Sequence, residues 1–337
     1  MAEHLESKRA IYAALAANIG IAVTKLSAAF FSGSSALLSE GVHSLVDSSN
    51  ELLLLYGMKR ARARRSREFP LGHGREVYFW SFIVALLVFA LGAGISIYSG
   101  IQHFRRPEIN RHPAATYGVL ATSAIFDGYS FVVALRQFNR AKGQQSSWQA
   151  IKASKDPTSF AVLLEDGAAL VGLGIAFVGV LAAQLLREPR LDSVASIGIG
   201  CVLAATAIVM ARESKALLMG ESAATEVEAS VLALVADDLA VAHANGLITL
   251  HVAPRQVVAA ISAAFDTKLT TAEIEACVVR LEKKIREKHA EITLLFIKPQ
   301  TANAFQSSVI AREIATSERE LQSAAALEAA LQNAKDT

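Results

Sequence analysis

The sequence has little charge and few cysteines, and both shortages exclude classes of protein. Charged residues make up 19% of its 337 residues and hydrophobic residues 53%, against about 25% and 45–50% in average soluble chains. The formal net charge is +2, so no strongly basic field indicates nucleic-acid binding. Two cysteines, Cys201 and Cys277, are too few for a disulfide framework. The sequence contains no Cys-x-x-Cys motif, which excludes a zinc ribbon. The composition instead favours a membrane protein.

Long apolar stretches recur through the first two thirds of the chain. A membrane-spanning helix takes about 20 mainly apolar residues. Six stretches meet this requirement, at 10–31, 36–57, 77–100, 114–135, 158–185 and 193–218. The N-terminus lacks the pattern of a cleaved signal peptide, so we expect the first stretch to stay in the mature chain. The sequence therefore predicts a polytopic domain of six transmembrane helices over residues 1–219.

The loops between these stretches differ in basic charge, which predicts their orientation. Seven Lys and Arg residues lie between Lys59 and Arg75, and five lie between Arg136 and Lys155. The loops on the opposite side carry three and two. Lys and Arg accumulate on the cytoplasmic side of membrane proteins. We therefore expect both termini in the cytoplasm and a multi-pass protein of the plasma, or inner, membrane.

After Met219 the periodicity changes to that of a small α+β domain. Its predicted elements are a helix over 222–239, strands over 246–252 and 256–265, a helix after a Thr270–Glu273 capping box, and a strand over 291–298. The predicted order is α-β-β-α-β, in a cytoplasmic domain over residues 220–300. The tail over 301–337 is rich in Ala, Glu and Gln, and we expect it to be helical or disordered.

The second stretch carries ionisable residues, which raise the free energy of inserting a helix into a membrane. Glu40, His43, Asp47 and Glu51 lie within it, and such residues usually persist in a membrane because they have a function. His43 and Asp47 are four residues apart, so they share one helix face. An imidazole and a carboxylate in this arrangement can bind one divalent cation. Asn50 follows three residues after Asp47 and is expected to support a ligand.

The fifth stretch adds two neighbouring carboxylates, Glu165 and Asp166. Adjacent helical residues point about 100° apart, so we expect Asp166 to be a ligand and Glu165 a ligand or a proton acceptor. One nitrogen and several oxygens suit zinc, although manganese, cobalt and iron stay open. Metal and protons compete for such ligands, and His43 is the natural exchange site. The metal is then a transported substrate, and no prosthetic group is expected.

Three further ionisable residues have open roles. Asp127 either lines the pathway or bonds a neighbouring helix. Lys25 either pairs with a carboxylate or extends its ammonium group to the interface. Glu51 either belongs to the pathway or lies at the membrane surface.

Two motifs carry a family resemblance. LLSEGVHSLVDSSNELL, followed after the basic loop by FPLGHGREVYFW, resembles the signature of cation diffusion facilitators, and Asn18, Lys25 and Gly33 also match. The resemblance covers about residues 10–299. It implies a divalent-metal/proton antiporter, not an enzyme. It also implies six spans and a ferredoxin-like cytoplasmic domain with a regulatory and dimerising role, in a protein that acts as a homodimer in the lipid bilayer.

The resemblance also leaves two questions about the metal ligands. The family takes its ligands as i, i+4 pairs from the second and fifth spans, but Val162 stands four residues before Asp166, where the family often has His or Asp. The fourth ligand is therefore open, and Glu165 is its expected substitute. His73 matches a loop histidine that binds a second metal in some relatives. Its expected acidic partner is missing, and Glu68 lies nearby but out of register, so a polar turn is the alternative.

The sequence thus predicts export of a divalent cation, with zinc foremost, from the cytoplasm in exchange for protons. One alternative is transport of manganese, cobalt or iron. A second is a homologue that binds metal but no longer transports it, which the departure at Val162 favours slightly. An intramembrane metalloenzyme is disfavoured because the chain has no His-Glu-x-x-His.

Overall fold

The structure is a computed structural model that describes residues 18–107, 113–142, 157–311 and 314–315. The chain divides into two compact units. The first comprises Met1–Glu221 with Val252–Pro254, and the second comprises Ser222–His251 with Arg255–Thr337. The described residues of the first unit are mainly helical, and those of the second form a small sheet with helices.

Helices occupy the described part of every stretch that the sequence predicts to cross the membrane. We number them α1 (from residue 18 to 32), α2 (Ser35–Ala61), α3 (Glu76–Arg105), α4 (Pro113–Lys142), α5 (Pro157–Leu185) and α6 (Arg190–Met219). Among the described residues, four helices, α3 to α6, are long and apolar enough to span a bilayer. The α2 helix has 27 residues but is more polar, and residues 10–17 of the first predicted span lie outside the described ranges.

A carboxylate from another helix caps the start of α2. Asp192, in the first turn of α6, accepts hydrogen bonds from the Ser35 backbone N–H at 2.6 Å and the Ala36 N–H at 3.3 Å. It also accepts from the hydroxyls of Ser34 at 2.8 Å and Ser35 at 3.0 Å. The first N–H groups of a helix have no partner within the helix, and an anion there is favourable. The cap therefore holds the start of α2 against α6.

Glycines bring α3 and α6 into backbone contact. A Cβ placed on Gly100 of α3 would lie 2.9 Å from the Ser193 carbonyl oxygen, and one on Gly200 of α6 would lie 3.1 Å from the Ala93 carbonyl oxygen. Small residues let helices approach closely in a membrane, where no hydrophobic effect drives them together. Within α3, Val88–Ala93 forms a π-helical turn.

The second unit has the predicted order α-β-β-α-β, and its described elements are α7 (Thr225–Ala236), β1 (Val241–Ala253), β2 (Gln256–Phe265), α8 (Thr271–Lys288), β3 (Ile292–Pro299) and a final helix, α9, over 302–311. The strand order is β1-β2-β3, and β2 pairs with β3 in parallel, with Ile261 opposite Ile297. The predicted capping box of α8 is present. Residues 312–313 and 316–337 of the predicted tail lie outside the described ranges.

The core of this unit comes from one face of each helix and from the sheet. Cys277, Leu281 and Ile285 of α8 are fully buried beside Val257 and Ile261 of β2. Their spacing of four residues places them along one side of the helix, as the sequence predicts. The charged side of α8 stays at the surface.

Asp238 forms a paired ionic contact between the end of α7 and α8. Its two carboxylate oxygens accept from Arg280 Nε at 3.0 Å and Nη2 at 2.9 Å, and the Ala240 N–H donates to it at 3.2 Å. These bonds favour the charged carboxylate and lower the pKa of Asp238 to about 2. The hydrogen bonds from Arg280 make the largest contribution to this decrease. The pair therefore stabilises the contact between the end of α7 and α8 within the second unit.

Candidate functional site

A cavity of about 580 Å³ lies among α1, α2, α4 and α5 of the first unit. Its polar lining combines carboxylates with neutral donors on all four helices: Asn18, Ser44, Asp47, Glu51, Asp127, Ser130, Glu165 and Asp166. Apolar side chains complete the wall, and Val162 is one of them. Carboxylates in such number at membrane depth are costly unless they bind cations, protons or hydrogen-bond donors.

The α2 helix contributes a polar face that follows the helical repeat. Glu40 and His43 are almost completely buried, and Asp47 lies one turn further along and faces the cavity. The His43 Nδ1 and Asp47 Oδ1 atoms are 3.4 Å apart. In the described part of the chain, neither His43 ring nitrogen has a hydrogen-bond partner, and neither has Asp47 Oδ1. His43 is absent from the cavity lining.

The α5 helix places its two carboxylates in different bonds, as the angle between adjacent residues requires. Glu165 Oε1 accepts from Asn50 Nδ2 of α2 at 2.8 Å, in a buried contact. Asp166 Oδ2 accepts from the Ser130 hydroxyl of α4 at 2.7 Å. The α2 and α5 helices thus pack together at the level of the carboxylates, and Asn50 and Ser130 hold those carboxylates with neutral donors.

The predicted ligands are close to one cavity but do not converge on one point. Asp47, Glu165 and Asp166 all line it. In the part of the chain that the structure describes, no three His, Cys, Asp or Glu side chains are grouped as a set that could hold a metal ion. The bonds from Asn50 and Ser130 account for part of this separation, because each holds a carboxylate toward a different neighbour. Each of these bonds uses one carboxylate oxygen, Glu165 Oε1 and Asp166 Oδ2.

Lys25 pairs with carboxylates rather than extending to the interface. Its side chain is completely buried, and Nζ lies 3.3 Å from Asp127 Oδ2 and 3.6 Å from Glu40 Oε2. It also donates to the Ser44 hydroxyl at 2.8 Å. Asp127 thus lines the cavity and contacts a residue of a neighbouring helix.

Glu51 and Asn18 join α1 to α2 at another edge of the cavity. Asn18 Nδ2 donates to Glu51 Oε1 at 2.7 Å, and both residues line the cavity. Among the two roles left open for Glu51, the structure places its side chain in the cavity wall. Sequence reasoning assigned no role to Glu40 or Ser130, although Glu40 shares the helical repeat with His43 and Asp47.

The loop histidine lies in a compact turn. The Gly72 N–H donates to the Phe69 carbonyl at 3.0 Å, and the Phe69 N–H donates to the Ser66 hydroxyl at 3.1 Å. The His73 ring packs against the Phe69 ring with centroids 4.6 Å apart, and its Nδ1 has no hydrogen-bond partner. Glu68 is exposed. A metal-binding role for His73 and Glu68 stays a prediction.

Comparison with known proteins gives a consistent group of relatives. The family model of the cation efflux transmembrane domain matches residues 11–219. Metal tolerance protein C4 of Arabidopsis thaliana is 32% identical over 236 residues, which cover 69% of this chain and 51% of that protein. The mitochondrial proton-coupled zinc antiporter SLC30A9 of Homo sapiens is 31% identical over 201 residues, 59% of this chain and 35% of that protein.

A bacterial relative matches over a larger share of its length. The cation-efflux pump FieF of Klebsiella pneumoniae (strain 342) is 28% identical over 229 residues, 67% of this chain and 71% of that protein. The present chain spans about half of the plant relative and about a third of the human one. The family match covers the helices that form the cavity and the motifs of α2 and the following loop. The chain therefore belongs to the cation diffusion facilitator, or cation efflux, family of membrane proteins.

Proposed function

We propose that this chain exports a divalent metal cation, with zinc as its principal substrate, from the cytoplasm in exchange for protons. The observation that carries the proposal is the cavity of the first unit, which is lined by Asp47 of α2 and by Glu165 and Asp166 of α5. Family membership supports cation export, and the name of the human relative, a proton-coupled zinc antiporter, supports zinc and proton coupling.

The proposed ligands are His43, Asp47 and Asp166, with Glu165 as fourth ligand or proton acceptor. Asp47 faces the cavity, and among the described residues the His43 ring nitrogens and Asp47 Oδ1 accept or donate no hydrogen bond, which supports both residues as ligands. Glu165 and Asp166 would exchange their bonds with Asn50 and Ser130 for the metal. A metal ion binds the deprotonated imidazole and carboxylates, so metal uptake displaces any proton that these ligands carry, and the two are coupled.

The membrane arrangement and assembly belong to the same proposal. In this proposal α1 and α2 span the membrane together with the four clearly apolar helices, which makes six spans. Because the basic loops then lie on the cytoplasmic side, both termini also lie in the cytoplasm. The second unit is then a cytoplasmic domain of ferredoxin-like form that helps two copies associate, in a plasma or inner membrane. Manganese, cobalt and iron are the alternative substrates, since oxygen ligands also suit them.

Transport by purified protein in liposomes tests the proposal. We expect an acidic vesicle interior to drive zinc into the vesicles. The internal pH should then rise as protons leave in exchange. Asp47→Asn and Asp166→Asn should each lower zinc flux by at least about 100-fold, since loss of supporting groups alone costs about 10–100-fold at metal sites. Ser49→Ala is the matched control, because Ser49 is exposed on the same helix and its hydroxyl donates to the Leu45 carbonyl of that helix.

Each result has a distinct meaning. Flux that is retained in both carboxylate variants contradicts the proposed site. Flux of manganese or iron but not zinc corrects the substrate. Zinc binding in calorimetry without flux in any vesicle would identify a homologue that binds metal but does not transport it, the alternative that Val162 favours.

A further inference from the structure

The network around Lys25 contains a buried carboxylate that the proposed metal site does not use. Glu40 has no exposed surface, and within the described ranges neither of its carboxylate oxygens has a hydrogen-bond partner. Its nearby cation is Lys25, whose Nζ lies 3.6 Å from Oε2. On the other side, Gly172 of α5 leaves room for Oε1, since a Cβ there would overlap that atom. Glu40 is therefore held in a close-fitting site and depends on Lys25 for its counter-charge.

The position of Glu40 on α2 makes this dependence relevant to transport. Glu40 precedes His43 by three residues and Asp47 by seven, so the three lie along one helix face. Asp127, which lines the cavity, also contacts Lys25 at 3.3 Å. Without the Lys25 ammonium group, Glu40 and Asp127 would offer a second pair of carboxylates to a cation. Glu40 lies one helical turn from His43, and Asp127 approaches from α4. A divalent ion leaving Asp47 along this face would meet that pair and bind to it.

We infer that Lys25 is a positioning residue that acts as a tethered counter-cation, occupying Glu40 and Asp127 so that a transported divalent ion cannot bind there. The inference rests on the proposed function, because it concerns the path of the ion. The ammonium group is covalently attached and cannot leave, so it neutralises the buried carboxylates without being carried away. Among the described Lys and Arg side chains, Lys25 is the one that is buried. Its charge also repels an arriving divalent ion, which weakens binding and speeds release.

Zinc binding and zinc flux of the full chain separate this role from a merely structural one. We expect Lys25→Gln to lower the zinc dissociation constant and the KM by about tenfold or more, because a unit charge in a low-dielectric interior acts strongly on a divalent ion. The kcat should fall together with KM, which is the kinetic sign of an over-stabilised bound state. The double variant Lys25→Gln with Glu40→Gln removes both charges of the pair, and its KM and kcat should return toward native values. Lys268→Gln, at an exposed position of the second unit, is the charge-matched control.

The contrary results are equally specific. An unchanged or raised KM in Lys25→Gln overturns the inference, as does a double variant that behaves like the single one. Should Lys25→Gln not fold, anomalous scattering at the zinc edge from the native chain decides the question. Zinc at Asp47 and Asp166 supports the inference, and zinc at Glu40 and Asp127 overturns it. A native chain that neither binds nor carries zinc refutes the proposed function and this inference together, whereas zinc flux with an unaltered Lys25→Gln variant refutes the inference alone.

Discussion

Removal of the Asp192 carboxylate should loosen the start of α2 and lower the stability of the helical unit. Asp192→Ala removes four accepted bonds, of which the two from backbone N–H groups, at 2.6 and 3.3 Å, have no ready substitute. The hydroxyls of Ser34 and Ser35 can turn to other acceptors. A hydrogen bond to a charged group contributes about 1.5–3 kcal/mol, and loss of a helix cap costs about 0.5–2 kcal/mol. Since Asp192 is only partly buried, we expect a loss of about 2–3 kcal/mol.

Thermal unfolding of the purified chain in detergent measures this loss. For a domain of about 200 residues, each kcal/mol shifts Tm by roughly 2–4 °C, so the predicted decrease is roughly 5–10 °C. Asp192→Asn keeps one acceptor oxygen and should fall between the native chain and Asp192→Ala. All variants need one scan rate, because membrane proteins often unfold irreversibly.

The segment just before α6 provides a control that removes an identical charge. Glu188 is half exposed and lies 3.9 Å from Arg190, which is also half exposed. Such surface pairs contribute about 0–1 kcal/mol, so Glu188→Ala should change Tm little. A Tm for Asp192→Ala within about 2 °C of that for Glu188→Ala would refute the reasoning, because the loss would then be one of surface charge and not of a cap.

Two further predictions concern Glu40 and Asp238. Gly172→Ala drives a Cβ into the Glu40 carboxylate, so we expect a loss of about 1–3 kcal/mol and of zinc flux, whereas Gly174→Ala, with nothing within 4 Å, should leave Tm and flux unchanged. Equal effects of the two alanines would contradict this contact. Asp238→Asn should lower hydrogen-exchange protection of β2 at pH 7 by about 1–2 kcal/mol, a value reduced for solvent screening at half-exposed Arg280. Because the folded pKa of about 2 lies below the unfolded value of 3.8, this stability is complete above pH 3.8 and disappears as pH falls through about 2; a difference that persists at pH 2 would contradict the prediction.

The features predicted well from the sequence are those that depend on local patterns. The boundaries of α5 and α6 follow from long apolar runs, and the start of α8 follows from the Thr270–Glu273 capping box, whose bonds the structure contains. The α2 face with His43 and Asp47 follows from helical spacing alone. Each of these inferences uses residues within a few turns of one another.

The features that were missed depend on contacts between distant residues. Lys25, Glu40 and Asp127 meet only because three helices have particular rotations, and neither length nor periodicity specifies a rotation. The strand β1 starts at Val241 and not near Gly246, since residues 242–245 lack apolar alternation and Asn245 is held by its side-chain bond to the Gln300 carbonyl at 2.7 Å. The π-helical turn of α3 lies inside an apolar run whose residues give no signal for it.

The glycine contacts between α3 and α6 restrict how the helical unit can change shape. At Gly100 and Gly200 the main chains of the two helices approach so closely that no lipid tail or larger side chain can enter. A slide of one helix past the other would push Ile97 and Ile197 into backbone atoms that already touch them. Any change of shape that separates or slides α3 and α6 would therefore have to break both contacts.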